Sequence, residues 1–520
     1  MLPAYRPEAL TDFSQPANVE AFAAAVESVR TQLGQSYPMI IGGQEVWSDN
    51  TFDSTNPARP ADVVATFPQA TIAQAQKSID LAHEAYLTWR FVPADERARF
   101  LLVAAAEMRR RKHEFSAWMV FEAGKSWYEA DADTSEAIDF LEYYARQMMR
   151  MTRAHEFLAI HPPEELGFEY IALGAVACIP PWNFPNAIPA GMMSAALVAG
   201  NGVVLKPAED TPTIAYKMCE LFWDQGLPAG LLNFITANPG GAIGDALVDY
   251  PKTRLIAFTG SKVIGQRIFE RAAKVHPGQL WLKRTVLEMG GKDAVVVDET
   301  ADLASAAQGI VASAFGFQGQ KCSAGSRAII ARSVYEEVVG MVVEGARKLT
   351  VGETDQGPTV DMGPVINRKA FDKIMGYVEH GRQNHTLLLG GEAIETDTNG
   401  YFIQPTIFGD VSGDAKIAQE EIFGPVLSII PANDFEDLLR IANSTEYGLT
   451  GAFYSRDRAR IEQARREFHV GNLYLNRKAT GAIVGVHPFG GFNMSGTDSK
   501  GGGPDYLLLF TQAKSIAEKL

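Results

Sequence analysis

The stretch GNGVVLKPAEDTPTIAYKMCELFWDQG, Gly200 to Gly226, decides the fold. Val203, Val204 and Leu205 are consecutive and apolar, as expected of a strand buried on both faces. Lys206 to Asp210 then turn polar, Thr211 stands as an N-cap candidate, Pro212 suits the first helical turn, and Gly226 is a stop. Outward from this strand–loop–helix unit the same alternation continues, with GAVACI before it and LLNFITA, RLIAFTG and TVLEMGG after it. Five strands alternating with helices between Gly174 and Gly290 argue for a parallel sheet covered on both faces. A second alternating unit is expected from Asp293 to about Val470.

Before the first unit, apolar residues recur at helical spacing over Glu20–Leu33, Thr71–Trp89, Pro93–Arg111 and Asp131–Met148. YPMIIGGQEVW reads as two short strands around a Gly-Gly turn. AHEFLAIHPPEELGFEYIALGAVACI is extended and broken by Pro162 and Pro163, as in a hairpin that leaves one domain and returns. The tail is glycine-rich up to Gly503 and ends in a strand-like YLLLF.

The net charge of −15 is spread over 520 residues, and no like-charge block offers a surface to nucleic acid. The one dense basic run, MRRRKH from Met108 to His113, reads as a solvated helix end. Three cysteines, Cys178, Cys219 and Cys322, show no C-x-x-C pair and no His/Cys cluster, so neither disulfides nor a metal are expected. The start MLPAYRPEALTDF lacks a basic segment followed by an apolar run, and the Tyr170–Leu205 region is interrupted by prolines. The expectation is a soluble protein of the reducing cytoplasm.

FGFQGQKCSAGSR, Phe315 to Arg327, sets Cys322 in a glycine-rich, polar stretch. Cysteines inside apolar periodic segments, such as Cys178 and Cys219, read as small buried hydrophobes. Cys322 instead predicts a partly exposed thiol of lowered pKa, a candidate nucleophile that needs a base and an oxyanion site. Glu288 in LEMGGK is the base candidate, though such a residue is equally a surface carboxylate beside a turn. Asn183, held between prolines in PPWNFP, can aim amide N–H donors at an oxyanion, or simply belong to a loop packing Trp182 and Phe184. FTGSKVIG places Ser261 at a helix start suited to phosphate, without the G-x-G-x-x-G fingerprint. Lys206 and Glu209 sit at another strand end of the same sheet, where charged residues are commonly just solvated.

In their order along the chain, PWNFP, KPAED, FTGSKVIG, LEMGGK, GQKC, EEIFGP and HPFGGFNMSG resemble the aldehyde dehydrogenase superfamily from about Tyr37 to the C-terminus. FGFQGQKCSAGSR, NRKATGAIVGVHPFGG and EAIDFLEYYAR look most like its L-glutamate γ-semialdehyde (Δ1-pyrroline-5-carboxylate) dehydrogenases. The resemblance implies an α/β fold with a Rossmann-variant NAD-binding domain (1–150 and 173–287) and a catalytic domain (288–470, with a substrate-anchoring loop at 471–489). It also implies an oligomerisation hairpin and C-terminal strand (151–172 and 490–520).

By that resemblance Cys322 attacks the aldehyde, Asn183 and the Cys322 N–H hold the oxyanion, hydride passes to NAD, and Glu288 activates water on the thioester. Lys206 and Glu209 would hold the adenosine ribose, Ser261 the pyrophosphate, and Glu421 and Phe423 the nicotinamide riboside. Ser323 and the N–H groups of Gly481 and Ala482 would anchor the glutamate end of the substrate, with Phe184 and Phe489 flanking its stem. Ala482 departs from relatives that carry serine. The partners implied are a small aldehyde substrate, further copies of the chain in at least a dimer, and a separate proline dehydrogenase as the source of substrate. Dehydrogenation of another semialdehyde, such as succinic semialdehyde, is the alternative, and a non-catalytic relative that kept only the fold is a third reading. The latter is disfavoured by the presence of all three catalytic candidates.

Overall fold

The computed structural model describes residues 3–152, 162–238 and 240–520. Its first large sheet contains β1 (Met39–Ile41), β2 (Gln44–Val46), β3 (Ala175–Ile179), β4 (Gly202–Leu205), β5 (Leu232–Phe234), β6 (Thr253–Thr259) and β7 (Arg284–Glu288). Their spatial order is β7-β6-β3-β4-β5-β1-β2. The strands β3 to β7 run parallel, as the alternation predicts. The hairpin β1–β2 adds antiparallel at the β5 edge, turning through Gly42 (φ 66°) and Gly43 (φ 78°), where a tight two-residue turn needs positive φ. From β3 the chain runs out through β4 and β5 and then returns to the other side of β3 for β6 and β7. That reversal opens a crevice at the carboxyl ends of the strands.

β4 shows why the sheet is covered twice. Val203 and Leu205 pack with Ile214, Leu221 and Phe222 of the helix Pro212–Trp223. Val204 points the other way, into a cluster with Ile79 and Ala82 of the helix Ile72–Trp89. A Cβ on Gly202 would overlap the Ala82 carbonyl, so glycine sets how closely that helix approaches.

The start of the helix Pro212–Trp223 departs from expectation. Thr211 (φ −140°, ψ 53°) makes no capping bond. Its place is taken by Glu122, whose carboxylate accepts from the Thr213 N–H at 2.8 Å, the Ile214 N–H at 3.0 Å and the Ser54 hydroxyl at 3.0 Å. Burial pushes this carboxyl up to about 7, against the pull of those donors.

The second large sheet holds β8 (Ala294–Val297), β9 (Arg327–Ala331), β10 (Thr386–Leu389), β11 (Thr406–Gly409), β12 (Val426–Ala432), β13 (Thr450–Tyr454) and β14 (Asn472–Leu475). The order is β10-β11-β12-β9-β8-β13-β14, parallel except for β10. Its two faces are filled by separate apolar clusters, Val296 and Ile329 on one side, Val295 and Ile330 on the other.

Three local expectations are corrected. YLLLF is a 3-10 helix, Tyr506–Phe510, because Tyr506, Leu507 and Phe510 all turn to the core, a spacing no strand allows. The C-terminal strand is instead Thr511–Lys519, paired antiparallel with Glu164–Ala172. Residues 153–161, the outgoing half of the expected hairpin, lie outside the described residues. Finally, MRRRKH is not simply solvated: one helix ends at Arg110 and the next begins at Lys112. Lys112 is buried, donating to the Ala9 carbonyl at 2.8 Å and to Asp131.

Candidate active site

Two sets of strand ends meet. From the first sheet, the carboxyl end of β3 leads into Asn183, that of β4 into Lys206, that of β6 into Ser261, and β7 ends on Glu288 itself. From the second sheet come the loops that enter three adjacent strands: Gly290–Asp293 before β8, Cys322–Gly325 before β9, and Glu421–Phe423 before β12. Residues up to 240 positions apart are thereby gathered because their strands are neighbours.

Cys322 sits half-buried in a turn after the helix Leu303–Phe315. The approach is contorted, with positive φ at Phe317 (50°), Gln318 (56°) and Gly319 (66°). Gln318 and Gln320 hold it there, the Gln318 amide donating to the Pro364 carbonyl at 2.8 Å and the Gln320 side-chain oxygen accepting from the Ile366 N–H at 3.0 Å. The buried Asn183 amide donates to the Gln320 carbonyl at 3.0 Å, two residues before Cys322. One amide N–H remains for a ligand. The Cys322 N–H donates to no protein acceptor among the described residues.

The electrostatics correct one expectation. The Cys322 thiol is pushed up, not down, first by burial and then by Asp293, Glu288 and Glu421. Glu288 is raised to about 8 by burial, although Ser499 and Lys500 oppose the rise. Lys292, fully buried with no partner for its Nζ among the described residues, is pulled down to about 7 by burial and Arg327. Glu421 is raised by burial while accepting from the Gly291 N–H at 3.0 Å. A Cβ on Gly291 would overlap the Cys322 backbone carbonyl, so that turn is reserved for glycine.

The groups suited to a dinucleotide are little committed elsewhere. Ser261 starts the helix Lys262–Ala272 without a side-chain cap bond, leaving N-terminal N–H groups for an anion. Among the described residues Lys206 donates only to the Pro207 carbonyl, at 3.0 Å, and burial lowers its pKa against the pull of Glu209. Phe423, at φ 60°, stands edge-on to Trp182 with centroids 5.5 Å apart.

Of the substrate candidates, the Ser323 hydroxyl and the N–H groups of Gly481 and Ala482 have no protein partner among the described residues. The Gly481 turn (φ 80°) is braced by Arg477, which donates to the Thr480 and Gly481 carbonyls at 2.9 and 3.0 Å. Phe184 packs near Phe317, with the Lys125 ammonium 4.1 Å from its centroid. Phe489 is held by its N–H on the Gly501 carbonyl at 2.8 Å and forms no ring pair with Phe184 among the described residues.

Two features escaped the sequence reading. Glu129, Asp133 and Glu136 recur at helical spacing on the helix Trp127–Met151. Glu129 pairs with Lys321 at 2.7 Å and Asp133 with Lys125 at 2.7 Å, but Glu136 has no hydrogen bond among the described residues, and burial and Asp133 lift it to about 8. Three acids at i, i+4 and i+7 in a helix whose face is otherwise apolar were the available signal. The other feature is that residues 495–499, expected among the oligomerisation elements, return to the end of β7. The Met289 N–H donates to the Ser495 carbonyl at 2.7 Å, the Thr497 N–H to the Leu287 carbonyl at 2.9 Å, and the Ser499 hydroxyl to Glu288.

The sequence pattern of the aldehyde dehydrogenase family matches residues 46–516. The chain is similar to 1-pyrroline-5-carboxylate dehydrogenase of Geobacillus kaustophilus, 56% identical over 518 residues, with 100% of both chains covered. Among solved structures it resembles a Thermus 1-pyrroline-5-carboxylate dehydrogenase with bound NAD, at 47% identity and TM-score 0.97 over 100% of both chains. It also resembles proline utilization A from Bdellovibrio bacteriovorus, at 43% identity and TM-score 0.96, over 99% of this chain and 53% of that one. With the strand order, the gathered cysteine, asparagine and glutamate, and likeness along the whole length all in agreement, the chain belongs to the aldehyde dehydrogenase family.

Proposed function

We propose that the protein oxidises L-glutamate γ-semialdehyde, the open form of Δ1-pyrroline-5-carboxylate, to L-glutamate with NAD in proline catabolism. The observation that carries this reading is the gathering of Cys322, the Asn183 amide and Glu288, with an uncommitted hydroxyl on Ser323, the neighbour of Cys322. The Cys322 thiol gives its proton to solvent water, its thiolate adds to the aldehyde carbon, and the carbonyl oxygen becomes an oxyanion held by the Asn183 amide and the Cys322 N–H. NAD, when bound, accepts the hydride and brings the positive charge of its pyridinium to a site where the thiol is otherwise surrounded by carboxylates. The remaining acyl group is a thioester on Cys322. Glu288 takes a proton from water, the hydroxide oxygen bonds to the acyl carbon, and the C–S bond breaks to return the thiolate.

Lys206, Glu209, Ser261, Glu421 and Phe423 are the residues we assign to NAD. Glu209 would accept from a ribose 2′-hydroxyl and repel a 2′-phosphate. For the substrate, Ser323, Gly481 and Ala482 offer donors to the α-carboxylate, and Phe184 and Phe489 flank the methylene stem. Glu136, a half-buried acid without a donor among the described residues, suits the α-ammonium. The ribbon of Glu164–Ala172 with Thr511–Lys519 is the proposed subunit contact, in at least a dimer. No helix among the described residues is long and apolar enough to cross a membrane. Three free cysteines suit a reducing cytoplasm, with a separate proline dehydrogenase supplying the substrate. The test is NADH production from Δ1-pyrroline-5-carboxylate, succinic semialdehyde and simple aliphatic aldehydes, with kcat/KM expected to be greatest for the first. A preference for succinic semialdehyde would overturn the substrate assignment.

A further inference from the structure

Glu288 does not stand alone at the end of β7. The segment after Gly490 runs back along that strand end: besides the two main-chain bonds at Met289 and Thr497, the Leu287 N–H donates to the Thr497 side-chain oxygen at 3.0 Å. This register sets the buried Ser499 opposite Glu288, where its hydroxyl donates to one carboxylate oxygen. The other oxygen is buried without a partner among the described residues, so its accepting capacity is unspent. The next residue, Lys500, plants its ammonium on the Gly471 carbonyl at 2.7 Å and on the Gly490 carbonyl, with the Phe492 ring 5.3 Å away. A Cβ on Gly490 would stand 3.0 Å from the same Glu288 oxygen that Ser499 holds, so the Lys500 anchor and the carboxylate share one glycine.

We propose that Ser499 and Lys500 are positioning residues for Glu288: the hydroxyl holds one carboxylate oxygen and leaves the other for water, and the anchored ammonium supplies the positive charge facing it. The charged and titratable groups around the carboxylate are Lys500 and Asp498 on this segment, the Cys322 thiol and the Tyr506 phenol. Lys500 is the cation among them, and Asp498 works against it. Burial raises Glu288 to about 8, and a hydroxyl donor and a nearby ammonium both favour the ionised form that accepts the proton. Removing either should move the onset of thioester hydrolysis to higher pH.

The proposal rests on Glu288 being the base, so E288Q is measured beside S499A, S499T, K500M and K500R. NADH appearance is followed by stopped flow, and free against enzyme-bound glutamate by rapid quench, from about pH 6 to 10. S499A and K500M should keep the NADH burst amplitude within about twofold, while the apparent pKa for release of glutamate rises by about one unit. At pH 7 release should slow about tenfold, and S499T and K500R should restore most of it. Burst amplitude counts the folded active sites, so a poorly folding variant still reports its pKa from the sites that remain. Release profiles of S499A and K500M superimposable on the parent would overturn the proposal, as would slower release with an unmoved pKa. A shift in one variant alone removes the other residue. Undiminished release in E288Q would instead reject the base itself.

Discussion

The proposed mechanism puts Cys322 and Glu288 in successive half-reactions, and substitution should separate them. C322A is expected to abolish both the NADH burst and turnover. E288Q should still give a burst of about one NADH per site, with steady-state turnover lowered by a factor on the order of 10² to 10⁴. A mutant without a burst would move Glu288 into the first step. Ser323 tests recognition apart from chemistry. A hydrogen bond from its hydroxyl to a carboxylate is worth about 1.5 to 3 kcal/mol, so S323A should lower kcat/KM for glutamate semialdehyde by about 10- to 100-fold. Propanal, with no carboxylate, should lose much less. Equal losses on both would trace the effect to the neighbouring Cys322 and withdraw the anchoring role.

At the scale of elements, Glu122 joins parts of the chain that share no local sequence. It belongs to the helix Lys112–Ala123, yet it closes the first turn of Pro212–Trp223 and holds Ser54 of the strand Thr51–Asn56. E122A would leave two helix N–H groups without an acceptor in a buried place, while the Ser54 hydroxyl would keep only the Asp210 carbonyl, at 3.1 Å. The expected cost is about 2 kcal/mol, read as an earlier urea transition of the ligand-free protein. E122Q keeps one acceptor oxygen and should lose less. Identical transitions for E122A and the parent would return the cap to Thr211. The helix itself was legible from Pro212 and Gly226, because a helix interior and its stop are written in local spacing. Its cap was not, since the partner lies 91 residues away and is brought there by packing.

For the molecule as a whole, several acids are wholly or partly buried at a cost. Burial lifts Glu122 and Asp139 to about 7 and Glu136 and Glu288 to about 8, all above their ordinary values. An acid whose folded pKa is raised contributes stability that is whole below its unfolded pKa, near 4 to 4.5, and is lost as pH rises through the folded value. Lys292, pulled down to about 7, works the other way, since its penalty is relieved as pH rises through that value. With Asp210 also raised, to about 6, and Lys283 also pulled down, to about 8, five acids against two lysines predict that the melting temperature of the ligand-free protein falls between about pH 5 and pH 9. E136Q should flatten the fall, and its gain over the parent should be larger at the alkaline end. A midpoint that climbs across the range would reject this account.

The sequence by itself determined the two alternating units, the five parallel strands, the Gly42–Gly43 hairpin and the motif residues at the strand ends. Strand and helix periods, turn glycines and short ordered motifs are local quantities, complete within a few residues. Tertiary structure alone decided the rest. YLLLF is apolar at every position, so no period tells strand from turn, and the placing of Tyr506, Leu507 and Phe510 in the core made it a 3-10 helix. The polar neighbours of Cys322 suggested a lowered thiol pKa, but the groups that govern the sulfur are carboxylates delivered by other strands, under a burial that exists only once they are assembled. Ser499 meets Glu288 across 211 residues, a pairing that no local pattern records. Desolvation and long-range hydrogen bonding belong to the packed molecule, and they set the chemical state of a site whose residue types the chain had already spelled out.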